Sequence, residues 1–467
     1  YIKVLKLDKA EPLIDRLLDP QTKAPPADVA WARRAQALGK MRSGNQQQID
    51  EALSLIDQNL KTDPESFEDR RSRAILLSMK PKRRDEAIRI LSELNATGLL
   101  SRADRFLLAQ LHARNRQSTQ CRDMMLALLS GPNPDPDHVL YYVSSLIDQN
   151  DLGQAERWLQ ELKTVDSDLP RIRAATELKA RLLNARKQEV DLVALLRGFS
   201  TRHPDQAGAA AQLFERYHRP KEAEEGYRAF AAQNVKDPPR ALALAGFLGR
   251  QNRVEEALAL CEQTRKTCPA ETVVTTSVAI LAAGKNVTDE QRQRVESWLE
   301  EALRRQSNST PIRLGLARLR SIERRYDQTE SIYREVLGSN PDNVEVLNSL
   351  SWLLAFKSGT EQEALVLIDQ AIEIAGSNAT LLDTRAVVYL RMGKIDLALQ
   401  DLRAAVAISP EKAALLFHLA RALQMASNAA EAREAFRRAE RLGLKAETVD
   451  PRERELFVRV RKELNVS

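Results

Sequence analysis

Few residues of this 467-residue chain are spaced for catalysis. The five histidines, His112, His138, His203, His218 and His418, stand far apart, and no two sit at i and i+4, where two ring nitrogens would share a metal from one helix face. No glycine-rich phosphate loop occurs, and Gly39-Lys40 and Gly393-Lys394 have the setting of helix turns. Cys121, Cys261 and Cys268 form no Cys-x-x-Cys and read as small buried apolar residues. Cys261 and Cys268 alone are close enough in sequence to pair in an oxidising compartment. The reading is therefore a non-enzyme with no catalytic centre, no metal and no cofactor. The remaining chemistry is binding. Lys80, Arg114, Arg216, Arg250, Lys357 and Arg391 are cations suited to charge-assisted hydrogen bonds with carboxylates.

The totals say what must position these side chains. Hydrophobic residues make up 43% and charged residues 29%, which excludes wholesale disorder. Ala, Leu, Arg and Glu dominate and favour helix. The net charge of +6 is small beside 71 basic and 65 acidic residues. Both signs are mixed along the whole chain, so nucleic-acid binding is disfavoured and a solvated, salt-bridged surface expected. The most apolar uncharged stretch, around Thr272–Gly284, is too short to cross a bilayer.

A period of 34 residues organises the chain. Leu382, Ala386, Tyr389, Ala398, Leu402 and Ala405 return as Leu416, Ala420, Leu423, Ala432, Phe436 and Ala439. The second helix also appears one unit earlier as Ala364, Ile368 and Ala371. The residue opening that helix falls at Ala52, Ala87, Cys121, Ala155, Leu192, Ala223, Ala257, Val295, Thr329, Ala364, Ala398 and Ala432. Small residues at Ala386 and Ala398 let two helices approach, and Tyr389 and Leu402 fill the space between units. Gly393 suits the left-handed end of a first helix. Pro64, Pro204, Pro269, Pro341 and Pro410 follow second helices that they cannot continue. No such unit buries its apolar face alone, so the units must stack.

These residues resemble the tetratricopeptide repeat family, over about Asp28 to Leu444, with the best match from Asn343 to Leu444. The stretch Leu347–Ala355 looks like a first helix common in bacterial arrays of that family. The resemblance implies an all-α superhelix (an α-α solenoid) of about twelve helix pairs, with first helices lining a concave groove. It places the six cations at the groove ends of first helices, where they would clamp acidic peptides. Cations are also favoured at any helix C-terminus by the macrodipole, so helix-end electrostatics accounts for the same row. The lysine/asparagine clamp of the chaperone-binding members is not found. The resemblance further puts Asn348, Trp352, Phe356, Val387, Phe417, Arg421 and Met425 on the concave face, as a partner-binding strip. An inserted residue near Ser358 would instead rotate this helix and bury Trp352.

The chain begins at Tyr1 rather than Met and reads as a piece of a longer protein. Residues 1–27 are expected to hold the trailing helix of a truncated repeat and a loop, and 28–164 the first repeats. Residues 165–309 read as divergent repeats, 310–446 as well-matched repeats and 447–467 as a capping helix. The expected function is a protein-binding scaffold or adaptor that holds a peptide or partner helix, with a protein partner of acidic or peptide-like character and no membrane insertion. The alternatives are an envelope or periplasmic scaffold of a secretion or exopolysaccharide system, a helical-repeat RNA binder, and a non-catalytic module of a larger enzyme.

Overall fold

The structure is a computed structural model that describes residues 7–42, 46–80, 83–115, 117–131, 133–162, 168–233 and 239–465. Among them there are 26 α-helices and no strand. The chain forms two compact units, Tyr1–Pro269 with Ala283–Lys285, and Ala270–Ala282 with Asn286–Ser467.

The first unit opens with a lone helix, α1 (Leu7–Leu18), whose Ile14 packs on Ala32 and Ala35. Seven helix pairs follow: α2/α3 (Pro26–Arg42, Gln46–Thr62), α4/α5 (Phe67–Ser78, Arg84–Ala96), α6/α7 (Arg102–Arg114, Ser118–Leu129), α8/α9 (Pro136–Asp148, Leu152–Glu161), α10/α11 (Leu169–Ala185, Glu189–Arg202), α12/α13 (Ala207–Arg216, Pro220–Ala232) and α14/α15 (Pro239–Arg250, Val254–Thr264). The second unit holds α16 (Ala270–Ala283) up to Ala282 and α17 (Asp289–Arg305), then four pairs. These are α18/α19 (Thr310–Ile322, Tyr326–Ser339), α20/α21 (Val344–Leu354, Glu361–Ala375), α22/α23 (Ala379–Arg391, Ile395–Ile408) and α24/α25 (Ala413–Met425, Ala429–Arg441). A single helix, α26 (Arg454–Glu463), closes the unit. These eleven pairs, with α16, α17 and the terminal helix, form the expected all-α repeat architecture.

All twelve opening residues of the second helices are buried, none more than 2% exposed. The larger Leu192 and Val295 therefore keep the same register as the alanines. Thr329 keeps it too, because its hydroxyl donates to the carbonyls of Arg325 (3.1 Å) and Ala317 (3.4 Å). A hydroxyl satisfied by local backbone costs little to bury.

Seven of the first helices end alike. Asn150, Lys187, His218, Asn252, Arg324, Gly393 and Ser427 all have φ between 58° and 71°. In each case the next residue's N–H closes back onto the helix, as Lys394 N does on Tyr389 O (2.9 Å) and Asn428 N on Leu423 O (2.9 Å). This closure satisfies an end carbonyl and turns the chain into the second helix. Glycine adopts the conformation without the penalty of about 1 kcal/mol that other residues meet. Ser427→Gly should therefore raise the melting temperature by a degree or two in a thermal scan. A fall would contradict the left-handed closure.

Ion pairs tie successive first helices together. In the first unit, Ser66 and Ser101 each cap a helix and accept from the N–H of Asp69 and Asp104. Those buried carboxylates then reach back one repeat, Asp69 to Arg34 (2.8 Å) and Asp104 to Arg71 (2.7 Å). Burial pushes the Asp104 carboxyl up, but Arg71 and Ser101 outweigh it and hold the group below its usual range.

Candidate protein-binding groove

Four of the six cations are paired with carboxylates of a neighbouring helix. Lys80 contacts Asp50, and Arg216 Nη1 lies 2.5 Å from Glu177 Oε1. Arg250 makes a two-pronged pair with Glu215 at 2.7 and 2.9 Å. Lys357 Nζ is 2.9 Å from Glu330 Oε2. Arg114 and Arg391 have no carboxylate partner among the described residues, and the Arg391 guanidinium lies 5.9 Å from the Phe356 ring centre. Four of the six thus join neighbouring helices, and the Arg216, Arg250 and Lys357 side chains are still about half exposed.

The aromatic strip lies elsewhere and is differently built. In the second unit, α20, α22 and α24 line a groove together with the segment 444–453 that runs from α25 to α26. It encloses a cavity of about 410 Å³, walled by Asn348, Trp352, Asp383, Phe417 and His418 on one side and by Val449, Asp450, Arg452 and Glu453 on the other. Trp352 is half-buried, and its indole N–H donates to Asp450 Oδ2 (3.2 Å) across 98 residues of sequence. Its ring meets Phe356 edge-on at 5.2 Å. Arg452 spans the strip from above, 4.8 Å from the Phe356 ring and 5.2 Å from Tyr326, while its other nitrogens hold Asp450 at 2.9 and 3.0 Å.

Three members of the expected strip are not at the surface. Phe417 is 1% exposed and packs with Phe436 and Phe457, because α26 lies over it. Arg421 is 8% exposed, and its Nη1 has no hydrogen-bond partner. Burial depresses its pKa, and Arg391 and Arg459 push the same way, against the pull of Glu453. Val387 is likewise in the core, whereas Met425 stays exposed. Asn348 lines the cavity with a buried Oδ1 that finds no donor.

The most organised feature of the groove is a polar ladder that the sequence reading missed. Asn348, Asp383, His418 and Glu453 recur every 35 residues, at the same place on α20, α22 and α24 and at the start of α26. His418 is buried between its neighbours, with Nδ1 2.6 Å from Asp383 Oδ1 and Nε2 3.1 Å from Glu453 Oε2. Burial opposes a charge on the ring, but the two carboxylates prevail and raise its pKa to about 10. His418 is therefore an imidazolium at neutral pH and donates both of its hydrogen bonds. The 35-residue spacing was the available signal, hidden by the change of residue type at each step.

This arrangement belongs to the class of helical-hairpin repeat proteins with a groove of first helices. Residues 384–444, from α22 to the turn after α25, match the tetratricopeptide repeat family model. Among solved structures, the chain is similar to a tetratricopeptide repeat protein from Parabacteroides merdae, at 14% identity over 62% of this chain and 98% of that one, with a TM-score of 0.36. It is also similar to a chain of the APC/C hetero-tetramer Cut9–Hcn1, at 12% identity over 97% and 92% with a TM-score of 0.40. Yeast Tom70 gives 14% identity over 84% and 96%, with a TM-score of 0.35. No curated protein sequence matches the chain. Among the described residues no helix is long and apolar enough to cross a membrane, and no group of three His, Cys, Asp or Glu is placed to hold a metal ion.

Proposed function

We propose that this protein is a non-catalytic scaffold that binds an extended polypeptide in the groove of its second unit. The observation carrying this reading is the 410 Å³ cavity, walled by the half-buried Trp352 and by the Asp383–His418 pair. Half-buried aromatic rings beside fixed polar groups are what a polypeptide partner needs. The ring supplies apolar area at small entropic cost, and the polar groups set register. Trp352→Ala should reduce capture of the native partner by tenfold or more, measured by quantitative affinity purification. It also removes one hydrogen bond, to Asp450, so a fall of only a few degrees in melting temperature is expected. Full capture by the variant would contradict the groove as the binding site.

A further inference from the structure

The segment between α25 and α26 crosses the groove that the proposed function assigns to a partner, and it enters through its carboxylates. Asp450 accepts from the Trp352 indole, and Glu453 lies against His418. These acids are three residues apart and meet groove groups on α20 and α24. The seat is incompletely satisfied. Glu453 is 2% exposed, yet its Oε1 has no hydrogen-bond partner, and neither has Nη1 of the buried Arg421 or of Arg452. A buried charged group with an unmade bond has lost its water and gained nothing in exchange. A ligand carboxylate that reached Arg421 Nη1 would make a bond that the chain's own segment leaves unmade.

Resting on the reading of this groove as the binding site, we propose that residues 445–453 are an intramolecular occupant. The partner that replaces them is an extended acidic segment with two carboxylates three residues apart. Charge complementarity supports that chemistry. Asp450 faces the Trp352 N–H donor and is also held by Arg452 of the strap itself, and Glu453 faces the cations His418 and Arg421, while Asp383 is already held by His418. Val449 of the strap shares a core with Phe457, Val460 and Leu464 of the terminal segment, so opening the strap draws Val449 out while those three side chains keep α26 docked.

The test uses a fluorescent peptide with the sequence of residues 446–455, Ala446 to Glu455, and the full chain. Asp450→Asn with Glu453→Gln weakens the strap and leaves the groove side chains on α20, α22 and α24 unaltered. The peptide should bind this double variant at least tenfold more tightly than the unaltered chain. A peptide carrying the same two substitutions should bind neither protein. Failure of the acidic peptide to bind the variant, or equal binding of both peptides, overturns the proposal. Should the double variant not fold, hydrogen exchange on the unaltered chain decides. Saturating peptide should accelerate exchange at 445–453, and an unchanged strap overturns the proposal. If Trp352→Ala abolishes capture of a native partner while this peptide fails, the groove is the binding site and only the acidic-occupant inference falls.

Discussion

Phe417→Ala should destabilise the second unit by about 3–5 kcal/mol, the usual cost of truncating a buried phenylalanine. Phe417 is 1% exposed, and its ring lies 5.4 Å from Phe457 and 6.2 Å from Phe436, with Phe436 and Phe457 themselves 5.1 Å apart. These rings are the contact through which α26 closes the last repeat. In a repeat stack, stability is the sum of units and their interfaces, so loss of this interface falls first on α24, α25 and α26. Hydrogen exchange should show those helices deprotected while those of the first unit keep their protection. Met425→Ala on the same helix, where the side chain is 39% exposed, should change stability by less than about 0.5 kcal/mol. A Phe417→Ala protein that melted like the unaltered chain but lost its partner would return Phe417 to the surface strip.

The second large effect is a dependence on pH. His418 has its folded pKa raised from 6.5 to about 10 by Asp383 and Glu453. A group raised in this way binds its proton more tightly when folded. Its contribution is therefore full below pH 6.5 and is lost progressively as the pH climbs towards 10. Each unit of displacement is worth about 1.4 kcal/mol, so a few kcal/mol disappear across that window. His418→Gln keeps a donor but cannot hold the charge. The melting temperature of the unaltered chain should exceed that of His418→Gln clearly at pH 6.5, and the gap should narrow steadily up to pH 10. A gap that stayed constant with pH would mean that His418 is neutral in the fold.

The repeat was legible because its signal is redundant. Twelve helix openings share one phase, and a Leu, Val or Thr in place of Ala at Leu192, Val295 and Thr329 does not break the register. The left-handed turn was readable at Gly393, where the residue type announces it. It was not readable at Lys187 or Arg324, where closure of the chain onto the helix end imposes the same φ on ordinary residues. The candidate site was less legible, because each misreading concerns a contact between distant segments. The cations looked available because their partners, such as Glu215 for Arg250, lie one repeat away, where helix periodicity says nothing about side-chain pairing. Phe417 and Arg421 fall on the inner face by register, but α26 and the strap cover them. Trp352 fits neither alternative fully, since it is half-buried beneath Asp450 rather than rotated into the core.

Polypeptide binding is tested most directly by a crosslinked affinity purification from an extract of the native cell, with and without nuclease, read by mass spectrometry. A discrete set of polypeptides that survives nuclease is the expected result. Recovery that collapses on nuclease treatment would place the protein on RNA or DNA and contradict the account.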